Sequence, residues 1–253
     1  MTKSALIHIF GACSLVAAGV IMTCFPSSAE TPAQPVFAEL FTSQGCSSCP
    51  AADQIWGEIQ KRPDVVALSF SIDYWDYIGW KDTLASHENT LRQQAYEKAM
   101  PSRQVYTPQV IIDGVQDVVG NQRSDVVNAM NARLAKTQGK RVAVALSQAG
   151  NEVQVRIGVG VATQPATIWI AHTLSSRSVN VTRGENSGRV MTYWNIVRDF
   201  SAVGTWNGAA LSISVPARGH DAKDLTDGVA VWIQSGRNGQ VLGAGQIRVA
   251  AGK

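Results

Sequence analysis

VFAELFTSQGCSSCPAAD, residues 36–53, passes from a strand signal to a helix signal across a pair of cysteines. Val36–Phe41 is short, apolar and β-prone, and Thr42–Gly45 is a polar turn. From Pro50 to Lys61 the residues favour helix, with apolar Ile55, Trp56 and Ile59 among them. The order predicted is strand, loop, helix. Cys46 then stands at the helix N-terminus, where unpaired backbone N–H groups and the positive end of the helix dipole stabilise a thiolate. In that setting Cys46 is the nucleophile that attacks a disulfide, and Cys49, one turn on and more buried, resolves the mixed disulfide. Ser47 and Ser48 carry no charge and do not fix the direction of electron flow.

Upstream, Lys3 precedes an apolar run from Ala5 to Met22, and Ser27-Ser28-Ala29 presents small residues ahead of polar Glu30-Thr31-Pro32. This is the form of a secretory signal peptide, residues 1–29, cleaved after Ala29, and it predicts a periplasmic or secreted protein. The run is also near the length that spans a bilayer, so a retained anchor is the competing reading. Thr23 before Cys24 fits a lipid-attachment site poorly. No later segment is apolar and long enough to span, so no membrane contact is expected once the leader is gone.

Cleavage removes Cys13 and Cys24 and leaves a single CxxC from the four cysteines. Paired cysteines in an exported chain are structural by default. Here a bridge across so short a loop restrains the unfolded chain by roughly 2 kcal/mol, against about 3 kcal/mol for a loop of about fifteen residues. A chain of this length builds a core without so small a staple. A closed zinc site needs further ligands, but there is no second CxxC, and His87, His172 and His220 are scattered. Redox chemistry remains by subtraction. The net charge of +3, which loses Lys3 with the leader, gives no reason to expect a nucleic-acid partner.

Strand and helix signals go on alternating after the CxxC. A strand at Val65–Ile72 leads to an aromatic stretch, Asp73–Trp80, and a helical run, Leu84–Met100. A strand at Val105–Asp113 with Pro108 near its start, an Asp113-Gly114 turn, a partner strand at Val115–Val119 and a helix at Arg123–Thr137 follow. This alternation predicts an α/β domain over residues 30–139. From Lys140 the texture changes, with apolar positions alternating in Val142–Leu146, Val153–Val161, Thr167–Thr173, Met191–Phe200, Leu211–Val215, Val229–Gln234 and Val241–Val249. Short strands between Gly, Asn and Asp turns predict an all-β, sandwich-like C-terminal domain over residues 140–253.

Thr107-Pro108, within VYTPQVIIDG at 105–114, resembles the element of thioredoxin-like folds in which a cis proline at the start of the third strand faces the CxxC. With the strand, CxxC and helix before it, this implies a thioredoxin-like N-terminal domain. It also implies that the backbone of Thr107 pairs with an extended substrate peptide beside the reactive sulfur. Thioredoxins and protein disulfide isomerases carry a buried carboxylate shortly before the first cysteine. The match here is Glu39, seven residues before Cys46 and one further away than in those proteins. If the loop Thr42–Gly45 absorbs the extra residue, Glu39 lies under the pair as proton acceptor for Cys49; an exposed strand carboxylate is the other reading. Asp73, bordering the aromatic stretch, is a further candidate.

More specifically, VFAELFTSQGCSSCPAAD at 36–53, SIDYWDYIGWKD at 71–82, VYTPQVIIDG at 105–114 and RGENSGRVMTYWNIVRDF at 183–200 resemble a family of secreted bacterial proteins, domain of unknown function twelve-twenty-three. The resemblance implies export and a thioredoxin-like N-terminal domain, and it names no activity. Tyr74, Trp75 and Trp80 in the aromatic stretch are candidates for a groove wall beside Cys46 that binds a peptide, with packing between domains as the competing reading. Arg183, Glu185, Asn186 and Arg189 form a polar cluster that reads equally well as a carboxylate site or a solvated hairpin turn.

Three function classes stay open on these residues. The first is a thiol-disulfide oxidoreductase using Cys46 and Cys49 on protein thiols or disulfides, with a redox partner protein and no bound cofactor. The second is a Cu(I)-handling protein in which the two thiolates hold the soft ion. The third is a non-catalytic module that recognises a partner and carries an inert CxxC.

Overall fold

The computed structural model describes residues 34–219 and 226–250. The expected leader with its expected cleavage point after Ala29, and Cys13, Cys24 and His220, lie outside the described residues.

The strand predicted at the start of the decisive stretch is β1, Val36–Thr42, and the helix after the CxxC is α1, Cys49–Ile59, with Pro50 in its first turn. Then come β2 (Val65–Ser71), a single 3-10 turn at Asp76–Ile78, and α2 (His87–Ala99). The Ser86 side chain caps α2 by accepting from the Asn89 N–H. A hairpin of β3 (Gln109–Ile112) and β4 (Gln116–Val119) leads into α3, Arg123–Thr137. Seven strands follow, without a further helix among the described residues: β5 (Val144–Ala149), β6 (Glu152–Ile157), β7 (Ala166–Val181), β8 (Arg189–Trp206), β9 (Leu211–Pro216), β10 (Gly228–Ser235) and β11 (Val241–Arg248). No described helix is long and apolar enough to cross a membrane.

The tertiary arrangement corrects the expected fold class. A thioredoxin-like α/β domain followed by a separate all-β sandwich is not what forms. One mixed eight-stranded sheet runs β11-β10-β7-β8-β2-β1-β3-β4, and only β5, β6 and β9 make a second, three-stranded sheet. The junction is β2 beside β8, parallel, with Ser69 opposite Ile196. Asn195 secures it from a left-handed backbone conformation (φ 50°) that asparagine tolerates better than most residues. Its Nδ2 donates to the Ala67 carbonyl at 2.5 Å and to Gln246 Oε1 at 2.9 Å, reaching β2 and β11 together.

The core is shared accordingly. On one face of the sheet Phe37, Phe41 and Phe70 from the first half pack with Trp169 and Trp232 from the second. On the other face α1 and α3 cover Ala38, Leu40, Val110 and Ile112. The small sheet packs its apolar residues, Val153 and Val155 among them, against Ile168, Ile170 and Val231 of the large one. The alternating pattern after Lys140 correctly marked strands with a buried face. It carried no information about which strand lies beside which, because that is decided by contacts remote in sequence.

Asp113 closes a second link between early and late segments. It sits in the turn after β3, receives Nε of Arg133 at 3.0 Å and the Arg141 guanidinium, and its backbone carbonyl accepts from Val241 N–H at 2.8 Å.

Candidate functional site

Cys46 and Cys49 form a disulfide at the start of α1, their Cα atoms 5.4 Å apart. The loop before it is held from several sides. Gln44 is fully buried; its N–H donates to Asp82 Oδ2 at 2.7 Å and its Oε1 accepts the Trp80 Nε1–H at 2.8 Å. Gly45 leaves room for Trp75: a Cβ there would lie 3.0 Å from that side chain's own Cβ. Ser47 and Ser48 face solvent, while Cys46 is 2% exposed and Cys49 is fully buried.

The Thr107-Pro108 peptide bond is cis. The Thr107 carbonyl oxygen lies 3.7 Å from Cys46 Sγ, and the Ser48 hydroxyl sits 3.5 Å from the same carbonyl and 3.3 Å from the sulfur. Trp75 donates its indole N–H to Thr107 Oγ1 at 2.7 Å and stacks on Tyr77, which is 80% exposed. Ser48, Thr107, Trp75 and Tyr77 therefore share one patch of surface, with the Cys46 sulfur just beneath it.

The tip of the β7–β8 hairpin reaches the same loop. Asn186 is fully buried, and its Nδ2 donates to the carbonyls of Gln44 and Cys46, each at 2.9 Å. Exposed Arg189 donates in turn to Asn186 Oδ1 at 3.2 Å. Behind the disulfide are two aspartates. Asp82 Oδ1 accepts the backbone N–H groups of Leu84 and Ala85, and burial pushes its carboxyl up to about 6. Asp53, one turn beyond Cys49, receives the Thr42 hydroxyl at 3.0 Å on Oδ1, while its Oδ2 has no hydrogen-bond partner. Burial holds the Asp53 carboxyl well above the usual range, and the Asp82 charge adds to that.

Alongside α1 runs a cleft of about 670 Å³, with Pro50, Asp53 and Gly57 on the helix side and Arg189, Val190 and Trp194 on the strand side. Gly57 sets its narrow end, since a Cβ there would fall 2.6 Å from Trp194 Nε1. Over Arg189–Trp194, β8 pairs with β7 alone, and its other edge faces this cleft.

The family model described as Protein of unknown function (DUF1223) matches residues 37–234. The chain belongs to this family. The DUF1223 chain is also similar to the crystal structure of a protein from Agrobacterium tumefaciens, at 34% identity and a TM-score of 0.75, over 88% of this chain and 98% of that one. No curated protein matches it. Neither the family description nor that structure assigns an activity.

In this DUF1223 protein the residues singled out from sequence do not all converge. Cys46, Cys49, Thr107, Pro108 and Trp75 come together. Trp80 braces the loop through Gln44, and Tyr74 packs against the aromatic core. Glu39 lies on the face of β1 away from α1, because it alternates with Ala38 and Leu40, which α1 covers. There it receives Arg92 Nε at 2.5 Å and the Tyr96 hydroxyl. Arg92 is itself surrounded by the rings of Phe70, Tyr96, Trp169, Phe200 and Trp232 at 4.9–5.6 Å. Asp73 anchors α2 by accepting from Thr90 Oγ1 at 2.5 Å and meeting His87 Nδ1 at 3.0 Å.

Of the polar cluster, Arg183 and Glu185 face solvent and Asn186 turns inward. Among the described residues no group of three or more His, Cys, Asp or Glu gathers in a metal-binding arrangement. Gln44, Asp53 and Asp82 were not picked out from sequence. The one available signal was Asp53 four residues after Cys49, the spacing that places two side chains on one side of a helix.

Proposed function

We propose that this protein is a thiol-disulfide exchange protein acting on protein thiols or disulfides in the periplasm or outside the cell. The observation that carries the reading is the Cys46–Cys49 disulfide at the start of α1 with the Thr107 carbonyl 3.7 Å from Cys46 Sγ. A thiolate at Cys46 gains from the backbone N–H groups of the first turn of α1. The carbonyl of Thr107 is an acceptor placed where the backbone of an extended substrate passes its own sulfur. Exposed Tyr77, stacked on Trp75, supplies apolar area at that edge. A polypeptide substrate also suits the cleft beside α1, where the open edge of β8 offers main-chain donors and acceptors.

In the reducing direction the Cys46 thiolate attacks one sulfur of a substrate disulfide, the other leaves as a thiolate, and a mixed disulfide forms. Cys49 then attacks Cys46 Sγ, releasing the second substrate thiolate and closing the Cys46–Cys49 bond. Two electrons pass from the protein dithiol to the substrate, and the reverse sequence oxidises a substrate dithiol.

Equilibrating the protein with glutathione and dithiothreitol buffers tests this. The expected outcome is a two-electron transition between roughly −270 and −120 mV, the span of dithiol oxidoreductases, and loss of exchange with a model disulfide in Cys46→Ser. A pair that these buffers do not titrate, or a Cys46→Ser protein with undiminished exchange, overturns the proposal.

A further inference from the structure

We infer that Asp53 is the group that takes the proton from the Cys49 thiol when Cys49 resolves the mixed disulfide. The inference rests on the exchange chemistry proposed above and assigns a residue to a step within it. Cys49 is the first residue of α1 and Asp53 follows four later, so the two side chains project from the same side of the helix, about 5–6 Å apart at Cβ. Both are inward-facing: Cys49 is fully buried and Asp53 is 3% exposed. The Cys49 thiol is closed off from solvent, so a proton leaving it needs an acceptor within the protein.

The hydrogen-bond inventory points to the same atom. Asp53 Oδ1 is taken by the Thr42 hydroxyl, whereas Oδ2 is buried and without a partner. A buried carboxyl oxygen left unpaired is costly. The cost has a reason in the oxidised protein: the sulfurs of a disulfide carry no proton to donate. On reduction Cys49 regains an S–H, the missing donor for Oδ2. Glu39 has no such opening, because Arg92 and Tyr96 occupy both of its oxygens.

The groups facing Asp53 are few. Thr42 approaches from β1, Asp82 from the segment after the 3-10 turn, and Tyr193 from β8, with Arg189, Glu58 and Lys61 lining the adjoining cleft. Burial raises the Asp53 carboxyl well above the usual carboxylate range, which makes its carboxylate a stronger base than an exposed one.

The step balances simply. The Cys49 proton moves to the Asp53 carboxylate as Cys49 Sγ bonds to Cys46 Sγ. The bond from Cys46 to the substrate breaks, and the substrate sulfur departs with the electron pair and is protonated by solvent. Asp53 is left as a neutral acid beside the new disulfide.

The test is oxidation of the reduced protein by glutathione disulfide, followed by tryptophan fluorescence, as a function of pH. At saturating glutathione disulfide the rate reaches a plateau set by the resolving step. Asp53→Asn is expected to lower that plateau about 100-fold near neutrality, with the deficit shrinking as pH rises and the thiol ionises unaided. The first, bimolecular step at Cys46 should keep its rate. Thr42→Val retains the carboxylate but removes the hydroxyl that lowers its pKa, so its profile should move to higher pH with a wild-type plateau on the alkaline side. An Asp53→Asn protein that melts like wild type yet keeps the same plateau and pH profile overturns the assignment. So does a loss that is equal at every pH, which marks a purely structural role. A wild-type pair that does not exchange with glutathione refutes the broader redox proposal instead, so the two failures are told apart.

Discussion

Asn186, at the tip of the β7–β8 hairpin, holds the carbonyl of Cys46, 140 residues earlier in the chain, through a 2.9 Å hydrogen bond from Nδ2. The same amide group binds the Gln44 carbonyl, so one side chain from the second half fixes two backbone groups of the disulfide loop. Replacing it with alanine leaves the buried Gln44 carbonyl without its donor and the Cys46 carbonyl with the Cys49 N–H at 3.2 Å. Asn186→Ala should cost about 2 kcal/mol in urea unfolding and slow the reaction of Cys46 with a model disulfide. An unchanged exchange rate would show that the loop keeps its shape without the hairpin.

Glu39 and Arg92 make a prediction of the opposite kind, about stability and not chemistry. The pair is almost wholly buried, and Arg92 is ringed by aromatic side chains from both halves of the sheet. Removing one partner strands the other's charge, so Arg92→Met should destabilise the protein by roughly 3–5 kcal/mol. Glu39→Gln should leave the pH profile of the resolving step unaltered in whatever fraction remains folded. A profile displaced by Glu39→Gln would tie that residue to the chemistry proposed for Cys49.

Asp82 sets a pH dependence of folding. Its carboxyl stands at about 6, above the 3.8 of a free aspartate, because burial penalises the charge more than its backbone hydrogen bonds favour it. The folded state thus holds this proton more tightly than the unfolded chain. The contribution is fully present below about 3.8 and is lost as pH rises through about 6, a change of about 3 kcal/mol. Asp53 acts with the same sign. Urea midpoints measured from pH 4 to pH 8 should show a decline whose slope is shallower in Asp82→Asn; an equal slope in both proteins would dismiss the assignment.

His172 adds a further pH effect on the second half of the sheet. Burial opposes its charge, but Asp199 Oδ1 at 2.7 Å and the Pro216 carbonyl at 3.0 Å outweigh it and raise the pKa above 6.5. The stabilisation is complete below 6.5 and disappears as pH rises through the folded value. Asp199→Asn should bring the imidazole titration, read by NMR, back towards lower pH. A titration that does not move would show that Asp199 has no part in it.

The sequence by itself determined what is local. A β-prone run, a polar turn, two cysteines and a helix-forming segment with proline in its first turn dictate strand, loop and helix, because backbone preference and side-chain periodicity act over a few residues. It also marked the strands after Lys140 and the family to which the chain belongs. Tertiary structure decided the rest. Alternation says that β8 has a buried face, but only packing sets it beside β2 and makes one eight-stranded sheet where two domains were expected. A carboxylate counted back from a cysteine read either as its proton acceptor or as an exposed strand residue, yet pleating buries Glu39 on the far face, while Asp53 on the helix itself stands one turn behind Cys49. Asn186 read equally as part of a carboxylate site or of a solvated turn, and it is buried because a long hairpin carries it back to Cys46. Residues that meet through such returns share no pattern along the chain, so their partnership exists only in three dimensions.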